Sequence, residues 1–315
     1  MLCLVPSFLC LLQKFGTCSY YWLGGRWNSG NYQWADGSSF NYTHFGPGDE
    51  NKDKACIDIH TGTSNWHTND CQQQECFICE KNADEPSNRA SDCKQLMSQG
   101  QTASGVYTIY VNGAPKTVYC DMQTDGGGWT VIQQRVNGAV SFWDQTWQAY
   151  KNGFGVAGAA TEFWAGNDLI HQLTTQTSGN ILRVDLWGDR NPNSTNPNIY
   201  LTSNYNFSLN DESTEYTPNI WSTFPGVGNA STGWYDITYI NGTKFSTIDH
   251  INDPMQTCVT DYHLGGWWLH YCTTSSLNGQ YIPPISYGNG YGMFWVVNGY
   301  EIINPTKSKM MIRSI

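Results

Sequence analysis

The spacing of the cysteines is the feature that most constrains this chain. There are 11 cysteines in 315 residues, and most of them fall in close pairs. Cys258 and Cys272 are separated by 14 positions, and a disulfide closing so short a loop contributes about 3 kcal/mol in the chain-entropy model. An acidic segment precedes this loop, and Trp267 and Trp268 lie within it. We therefore expect a rigid loop platform carrying oxygen ligands, aromatic faces and exposed backbone, which is typical of a binding site.

The amino-acid composition limits the expected secondary structure and the expected class of partner. Only 13% of residues are charged, whereas 14% are aromatic and 32 are glycine. Few charges with many aromatics and glycines indicate short strands, turns and ordered loops rather than long helices. The net charge of −10 argues against a surface that tracks phosphates, so nucleic acid is not an expected partner.

Two independent signals predict secretion into an oxidising compartment. One is the paired cysteines. The other is a set of five N-glycosylation sequons, which start at Asn41, Asn193, Asn206, Asn229 and Asn241. Residues 1–18 are predicted to be a signal peptide, because their apolar run has the right length. This run lacks positive leading residues and a clean small-residue cleavage site. No later run approaches the roughly 20 apolar residues that a membrane-spanning helix needs.

Residues 19–82 form a first predicted unit. Tyr21-Trp22-Leu23-Gly24 predicts a buried strand, and a turn signal starts at Trp34. Cys56, Trp66, Cys71 and the final Cys79-Glu80 follow in that order. This ordered set resembles the second half of a C-type lectin-like domain, and the resemblance implies a disulfide between Cys56 and Cys71.

The calcium-dependent sugar site of that family is not expected here. The family's sugar loop corresponds to Gly48-Asp49-Glu50-Asn51, in which a glutamate replaces the proline. The family's Trp-Asn-Asp metal ligands correspond to Trp66-His67-Thr68, which supplies no carboxylate. Asp49, Glu50 and Asp53 are left with two interpretations, a loose metal site or a solvated acidic loop.

The resemblance covers only half of a lectin domain, which leaves one face of its sheet to be covered. Either the chain is an incomplete version of a longer one, or Cys18 and the apolar start cover that face imperfectly. Without Cys3 and Cys10 the cysteine count is odd, and Cys18, Cys76 and Cys79 cannot all pair within the chain. This predicts an intermolecular disulfide, and hence a disulfide-linked oligomer, or a missing partner cysteine.

Residues 83–91 are polar and predict a linker to a second unit at 92–315. Alternation across 105–122 predicts paired strands, the glycines after Asp125 predict a tight turn under Trp129, and 169–173 predict a short helix. The polar segment 188–232 predicts a glycosylated, loop-rich excursion.

Several strings of the second unit resemble a fibrinogen C-terminal domain. They are Val-Tyr-Cys-Asp-Met, Gly-Gly-Gly-Trp-Thr-Val-Ile-Gln, Tyr-Lys-Asn-Gly-Phe-Gly, Phe-Ser-Thr, Trp-Trp and Ser-x-Leu-Asn-Gly-x-Tyr. The resemblance implies an α+β fold in three subdomains, with disulfides Cys93–Cys120 and Cys258–Cys272.

The resemblance also implies a calcium loop after Phe245-Ser246-Thr247. The family's two ligand aspartates fall on Ile251 and Asp253, and isoleucine cannot ligate calcium. Losing one of two carboxylates should weaken calcium binding greatly. Asp249, Asn252 and the Met255 carbonyl are candidates to compensate, and the alternative is a purely structural acidic turn.

Lectins of this family hold acetyl groups beside that loop, in an aromatic cup with backbone donors. Tyr271-Cys272 takes the position of the family's donor peptide, and Trp267 and Trp268 are expected to be structural. The candidate walls are His263, His270, Tyr281, Tyr291 and Tyr300.

The leading functional hypothesis is a secreted, non-catalytic protein that recognises glycans or acetylated groups in innate host defence. The second is an extracellular matrix or cell-surface module that binds a protein receptor through the same face, since a fold alone does not decide between them. No Gly-x-Ser-x-Gly or His-Glu-x-x-His motif is present, so no catalytic residues are assigned.

Overall fold

The computed structural model describes residues 18–28, 30–35, 40–51, 54–77, 89–222, 236–283, 289–297 and 301–315. The chain divides into two compact units, Met1–Asn88 and Arg89–Ile315. Asp53, Cys79, Asn229 and Tyr300, and most of the predicted signal peptide, lie outside the described residues. Among the described helices, none is long and apolar enough to cross a bilayer.

The first unit contains one small sheet. Its strands are β1 (Tyr20–Asn28), β2 (Asn31–Trp34), β3 (Cys56–His60), β4 (Trp66–Asn69) and β5 (Cys76–Phe77). The antiparallel order is β2-β1-β3-β4, and β5 lies parallel to β1. The predicted strand at Tyr21–Gly24 lies within β1, but its side chains are half buried rather than buried. The reason is a thin core, since Ile57 and Trp66 are the only buried large apolar side chains among the described residues of this unit.

Disulfides and aromatic rings hold this sheet together. The Cys56–Cys71 bond forms as the resemblance implied. Cys18 is bonded to Cys76, so two of the three cysteines without an assigned partner pair with each other. The Trp66 ring lies 5.7 Å from Trp34 and 5.9 Å from Phe45, both edge to face.

The second unit is larger and mixes short helices with strands. Its first three residues, 89–91, were predicted to belong to the linker. They pack on β6, where Arg89 covers the Tyr110 ring at 4.5 Å and the backbone amide of Tyr110 donates to the Ala90 carbonyl. The strands are β6 (Gly105–Val111), β7 (Ala114–Asp121), β8 (Trp129–Arg135), β9 (Phe154–Gly155), β10 (Phe163–Trp164), β11 (Asn180–Trp187), β12 (Tyr200–Leu209), β13 (Pro218–Ser222), β14 (Phe245–Ser246), β15 (Trp267–Trp268), β16 (Ser275–Ser276), β17 (Phe294–Val297), β18 (Glu301–Ile303) and β19 (Lys307–Ser314). The helices are α1 (Cys93–Ser98), α2 (Trp147–Asn152), α3 (Asn167–Thr175) and α4 (Thr257–Thr260).

A nine-stranded antiparallel sheet forms the centre of this unit. Its main path is β13-β12-β11-β19-β8-β10-β9, and β7 joins at β8 with β6 as its partner. Two small sheets, β14-β15 and β16-β17-β18, carry the segment around the short disulfide loop. The predicted disulfides Cys93–Cys120 and Cys258–Cys272 both form.

Three sequence predictions are confirmed here. The alternating segment at 105–122 forms the β6–β7 hairpin, and the helix predicted at 169–173 lies inside α3. The glycine turn has positive φ at Asp125 and at the three glycines that follow it. Trp129 is fully buried above this turn, and its Nε1 donates to the Thr124 carbonyl at 2.8 Å.

The prediction of a loop-rich excursion at 188–232 was wrong in part. The ten residues of β12 form a regular strand that pairs with β11 on one side and β13 on the other. From Leu201 onward its side chains alternate strictly between buried and half-buried positions, so Leu201, Tyr205 and Phe207 enter the core. The strand was not predicted because the residues at its half-buried positions are polar.

Candidate functional site

The acidic segment after β14 is fixed to the body of the second unit by Asp249. Its Oδ1 accepts hydrogen bonds from the Trp147 amide at 2.7 Å and from the Thr247 hydroxyl at 2.8 Å. Trp147 is the first residue of α2, so this carboxylate satisfies a backbone donor that the short helix leaves free. Asp249 therefore has a structural role in joining the segment to α2.

Asp253 joins the same segment to the disulfide loop. This side chain is only 4% exposed. Its Oδ1 accepts from the amides of Met255 at 2.8 Å and Tyr271 at 3.0 Å, and its Oδ2 accepts from the Cys272 amide at 3.1 Å. Three backbone donors thus surround one buried carboxylate, and they hold the Tyr271-Cys272 peptide in place.

The candidate calcium ligands each have partners within the protein. The Met255 carbonyl accepts from the Cys258 amide at 3.1 Å. The Asn252 side-chain nitrogen donates to the Phe245 carbonyl at 2.6 Å, and Ile251 packs on the core. Calcium needs six to eight converging oxygens, whereas Asp249 and Asp253 serve different backbone amides. Within the described residues no group of three or more His, Cys, Asp or Glu could hold a metal ion.

The turn that ends the disulfide loop presents two aromatic rings. Tyr271 is 64% exposed, and its ring meets the exposed His270 edge to face at 5.0 Å. Tyr271 and Cys272 have φ values of 51° and 66°, so two consecutive non-glycine residues are left-handed. Each such residue costs about 1–3 kcal/mol. The Asp253 hydrogen bonds and the Cys258–Cys272 bond hold this turn against that cost.

The other predicted wall residues have separate partners. His263 stacks on Trp143 at 3.9 Å, and its Nδ1 lies 2.6 Å from Oε1 of Gln280. Tyr291 lies 4.5 Å from the Tyr262 ring. Tyr281 donates to the Thr306 carbonyl at 2.8 Å, and Arg190 covers its ring at 4.2 Å. His270, Tyr271 and Cys272 are therefore together on the disulfide turn, while the described contacts of His263, Tyr281 and Tyr291 lie elsewhere.

A groove beside this turn was not predicted from the sequence. It has a volume of 340 Å³ and is lined by His270 and Leu269 on one side and by Asn241 and Lys244 on the other. Asn241 belongs to a sequon, which was the only signal that this segment is accessible. Its Oδ1 accepts from the Ile220 amide at 2.9 Å, which leaves the side-chain nitrogen for other contacts.

The prediction that Trp267 and Trp268 are structural is confirmed, since at most 1% of either side chain is exposed.

The remaining described sequons differ in their accessibility. Asn41, Asn193 and Asn241 are exposed, whereas Asn206 is half buried in β12. Asn206 lies opposite Trp221 of the neighbouring strand. Glycosylation at these positions stays a prediction.

The acidic loop of the first unit is tied to β4 by a contact with His67 and by a hydrogen bond. Asp49 Oδ2 lies 3.2 Å from Nε2 of His67, and the other ring nitrogen of His67 lies 3.5 Å from the buried Asp58. The Asn51 amide donates to the Thr68 hydroxyl at 2.7 Å. Asp49 is therefore paired with a histidine, while Glu50 is exposed.

Comparison with known families agrees with this architecture. A family model described as "Fibrinogen beta and gamma chains, C-terminal globular domain" matches residues 89–315. The chain belongs to this family. A second family model, "Lectin C-type domain", matches residues 7–81, a range that begins inside the predicted signal peptide.

Two relatives match this chain over part of its length. Angiopoietin-4 of Mus musculus is 40% identical over 197 residues, which cover 60% of this chain and 35% of that protein. Ryncolin-4 of Cerberus rynchops is 36% identical over 257 residues, covering 77% of this chain and 66% of that protein. The chain thus spans about a third of one relative and just under two thirds of the other.

Solved structures give the same fold. The fibrinogen-like globe domain of human ANGPTL6 matches with a TM-score of 0.61 and 32% identity, covering 74% of this chain and 99% of that domain. A lamprey fibrin D-dimer, solved in complex with the peptide ligand Gly-His-Arg-Pro-amide, matches with a TM-score of 0.59 and 28% identity. That match covers 78% of this chain and 79% of the lamprey chain.

Proposed function

We propose that this chain is a secreted, non-catalytic recognition protein whose fibrinogen-type unit binds glycans or acetylated groups. The observation that carries the proposal is the exposed His270–Tyr271 pair on a turn fixed by a disulfide and a buried carboxylate. A preorganised aromatic surface binds without the entropic cost of ordering a flexible loop. Secretion is supported by the sequons and by the disulfides Cys56–Cys71, Cys93–Cys120 and Cys258–Cys272.

The chemistry of the surface suits small uncharged groups. The methyl of an acetyl group, or the C–H face of a sugar ring, packs favourably on an aromatic ring such as Tyr271. The adjoining 340 Å³ groove offers the polar end of Lys244 beside the apolar Leu269. A pocket of this kind combines an apolar wall with a few polar groups that orient the ligand.

The contacts of three of the four histidines of the fibrinogen-type unit favour a non-catalytic role. His171 contacts the Leu209 carbonyl, His250 pairs with Glu215, and His263 contacts Gln280. Among the described contacts none of these three histidines contacts a serine or cysteine nucleophile. A histidine that activates a nucleophile must lie within hydrogen-bonding reach of it.

Binding is proposed to be independent of calcium. Asp253 already accepts three backbone hydrogen bonds, and Ile251 supplies no ligand where the family carries an aspartate. The turn is therefore shaped by the protein's own donors.

A second candidate function is binding of a protein receptor or matrix protein through the same surface. It is favoured by the exposed Tyr271 and by the lamprey relative's peptide complex, in which a fibrin domain of this fold holds a short peptide. Exposed tyrosines are enriched at protein interfaces.

Retention on an acetylated resin, with and without EDTA, separates these possibilities. The proposal predicts that the full chain is retained equally in both conditions and is eluted by free N-acetylglucosamine. Retention that EDTA abolishes would contradict the calcium-independent site. Absence of retention in both conditions would favour the protein-binding alternative.

A further inference from the structure

A second cavity lies on one face of the nine-stranded sheet. It has a volume of 530 Å³, within the range of about 300–1,000 Å³ that is typical of small-molecule sites. Its walls come from β8, the end of β11 and the start of β19, together with the loops at 159–160 and 197–199. It shares no lining residue with the disulfide loop or with the groove beside it.

All the ionisable residues that line this cavity are basic, although the whole chain has a net charge of −10. Arg135 is 1% exposed and is held by two backbone carbonyls and by Glu162. Lys309 pairs with Asp121 at 3.0 Å. Lys307 is exposed, and no hydrogen bond or ion pair of its ammonium is found among the described residues. The cavity therefore offers an anion one ammonium group that no carboxylate of the described chain neutralises.

An aromatic ring lies next to this ammonium group. Trp187 is directly opposite Lys307 in the β11–β19 register, so both side chains leave the same face of the sheet. The Trp187 ring is half buried and lies 5.8 Å from Nζ of Lys309. It supplies a flat apolar surface at the edge of a basic cavity.

The opposite wall combines small apolar groups with an amide. Ala160, Pro197 and Ile199 supply the apolar atoms, and Asn198 is an exposed amide between the last two. The wall keeps its shape because the Gly188 amide donates to the Ile199 carbonyl at 2.7 Å. Gly188 has a φ of 66°, and a Cβ there would collide with the Thr306 side chain.

We propose that this cavity binds a saccharide that carries a carboxylate or a sulfate. The apolar face of the sugar ring packs on Trp187, its anionic group pairs with Lys307, and its hydroxyls bond to Asn198. This proposal goes beyond the recognition function of the disulfide turn. It concerns a different surface and a charged ligand, so either proposal can fail without the other.

Binding of three disaccharides without acetyl groups tests the proposal. Lactose is the neutral probe, lactose 6-sulfate carries the sulfate, and digalacturonic acid carries carboxylates. Isothermal titration of the full chain at low salt should give tighter binding of at least one acidic probe than of lactose, and this binding should weaken as salt is added. The probe that binds identifies the anionic group, and binding of neither would overturn the proposal.

Two variants locate the site, and a third is the control. Lys307→Gln should weaken binding of the acidic probe by about tenfold, because a hydrogen bond to a charged group contributes about 1.5–3 kcal/mol. Ala160→Glu should weaken it by placing a carboxylate in the cavity. Lys116→Gln makes the same change of charge on β7, outside the cavity, and should bind like the unmodified chain. Equal binding by all three variants would refute the assignment, and thermal unfolding checks that each one is folded.

Discussion

The buried carboxylate of Asp253 accepts a hydrogen bond from the backbone amide of Cys272, the second cysteine of the disulfide loop. The Asp253 side chain thus fixes the backbone at the end of the disulfide loop, 19 residues later in the sequence. The same carboxylate also holds the Tyr271 amide. Asp253 and the disulfide therefore act together on the turn that presents Tyr271.

Asp253→Asn should destabilise the fibrinogen-type unit by about 1–3 kcal/mol, because the new amide group cannot accept all three backbone hydrogen bonds. Urea unfolding of the full chain measures this change. Asp261→Asn is the matched control, since Asp261 is exposed and, among the described contacts, its side chain accepts only from the neighbouring Thr260 hydroxyl. Equal stability of the two variants would show that the Asp253 contacts contribute little.

Glu162→Gln should destabilise the same unit more strongly, by about 3–5 kcal/mol. Glu162 is 4% exposed and accepts from the amides of Val136, Gly138 and Val140 at 2.7–2.8 Å. Burial opposes its ionisation, but these hydrogen bonds and Arg135 lower the pKa of Glu162 overall.

The comparison for that variant is Glu212→Gln. Glu212 pairs with Lys151 at the surface, where an ion pair contributes about 1 kcal/mol or less. The midpoint of thermal unfolding should fall further for Glu162→Gln than for Glu212→Gln. A loss for Glu212→Gln as large as for Glu162→Gln would contradict the role given to the buried carboxylate.

The first unit should lose stability as pH rises from about 4.5 to about 7. Burial, together with the neighbouring Asp58, raises the pKa of Glu75 from 4.5 to about 7. Folding therefore favours the protonated form, and this contribution is fully present only below the unfolded pKa. Urea unfolding at pH 5 and pH 8 should show the difference in the unmodified chain and a smaller one in Glu75→Gln. An unchanged pH dependence in Glu75→Gln would assign the effect to another group.

Calcium should not stabilise the unmodified chain. The midpoint of thermal unfolding is expected to be the same in calcium and in EDTA, because the oxygens of Asp249 and Asp253 bond to backbone amides. Ile251→Asp supplies the carboxylate that the family has at this position and should make unfolding calcium-dependent. A calcium-dependent midpoint in the unmodified chain would show that the segment binds the ion after all.

Short sequence patterns correctly predicted the elements whose structure depends on residues close together in the sequence. The β6–β7 hairpin followed from alternation, and the turn below Trp129 followed from its glycines. The strand β12 was missed because its half-buried positions carry Thr202, Asn204, Asn206 and Ser208, whose polarity gave the segment a loop-like composition despite its alternation. Its assignment needed the neighbouring strands, which the sequence does not show.

The site was predicted only where covalent chemistry marks it. The close spacing of Cys258 and Cys272 indicated the loop, and the resemblance to the fibrinogen family placed Tyr271-Cys272 at that family's donor peptide. The role of Asp253 could not be predicted, because its partners are backbone amides of residues distant in sequence. The cavity at Lys307 was also missed, since it joins three strands and two loops that carry no common motif.

The most direct test of the central claim compares Tyr271→Ala with Tyr239→Ala on the acetylated resin. Both tyrosines are exposed in the fibrinogen-type unit, 64% and 44% respectively, but only Tyr271 lies on the disulfide turn. We expect Tyr239→Ala to be retained like the unmodified chain and Tyr271→Ala to pass through the resin without binding. Retention of a folded Tyr271→Ala as strong as that of the unmodified chain would contradict it.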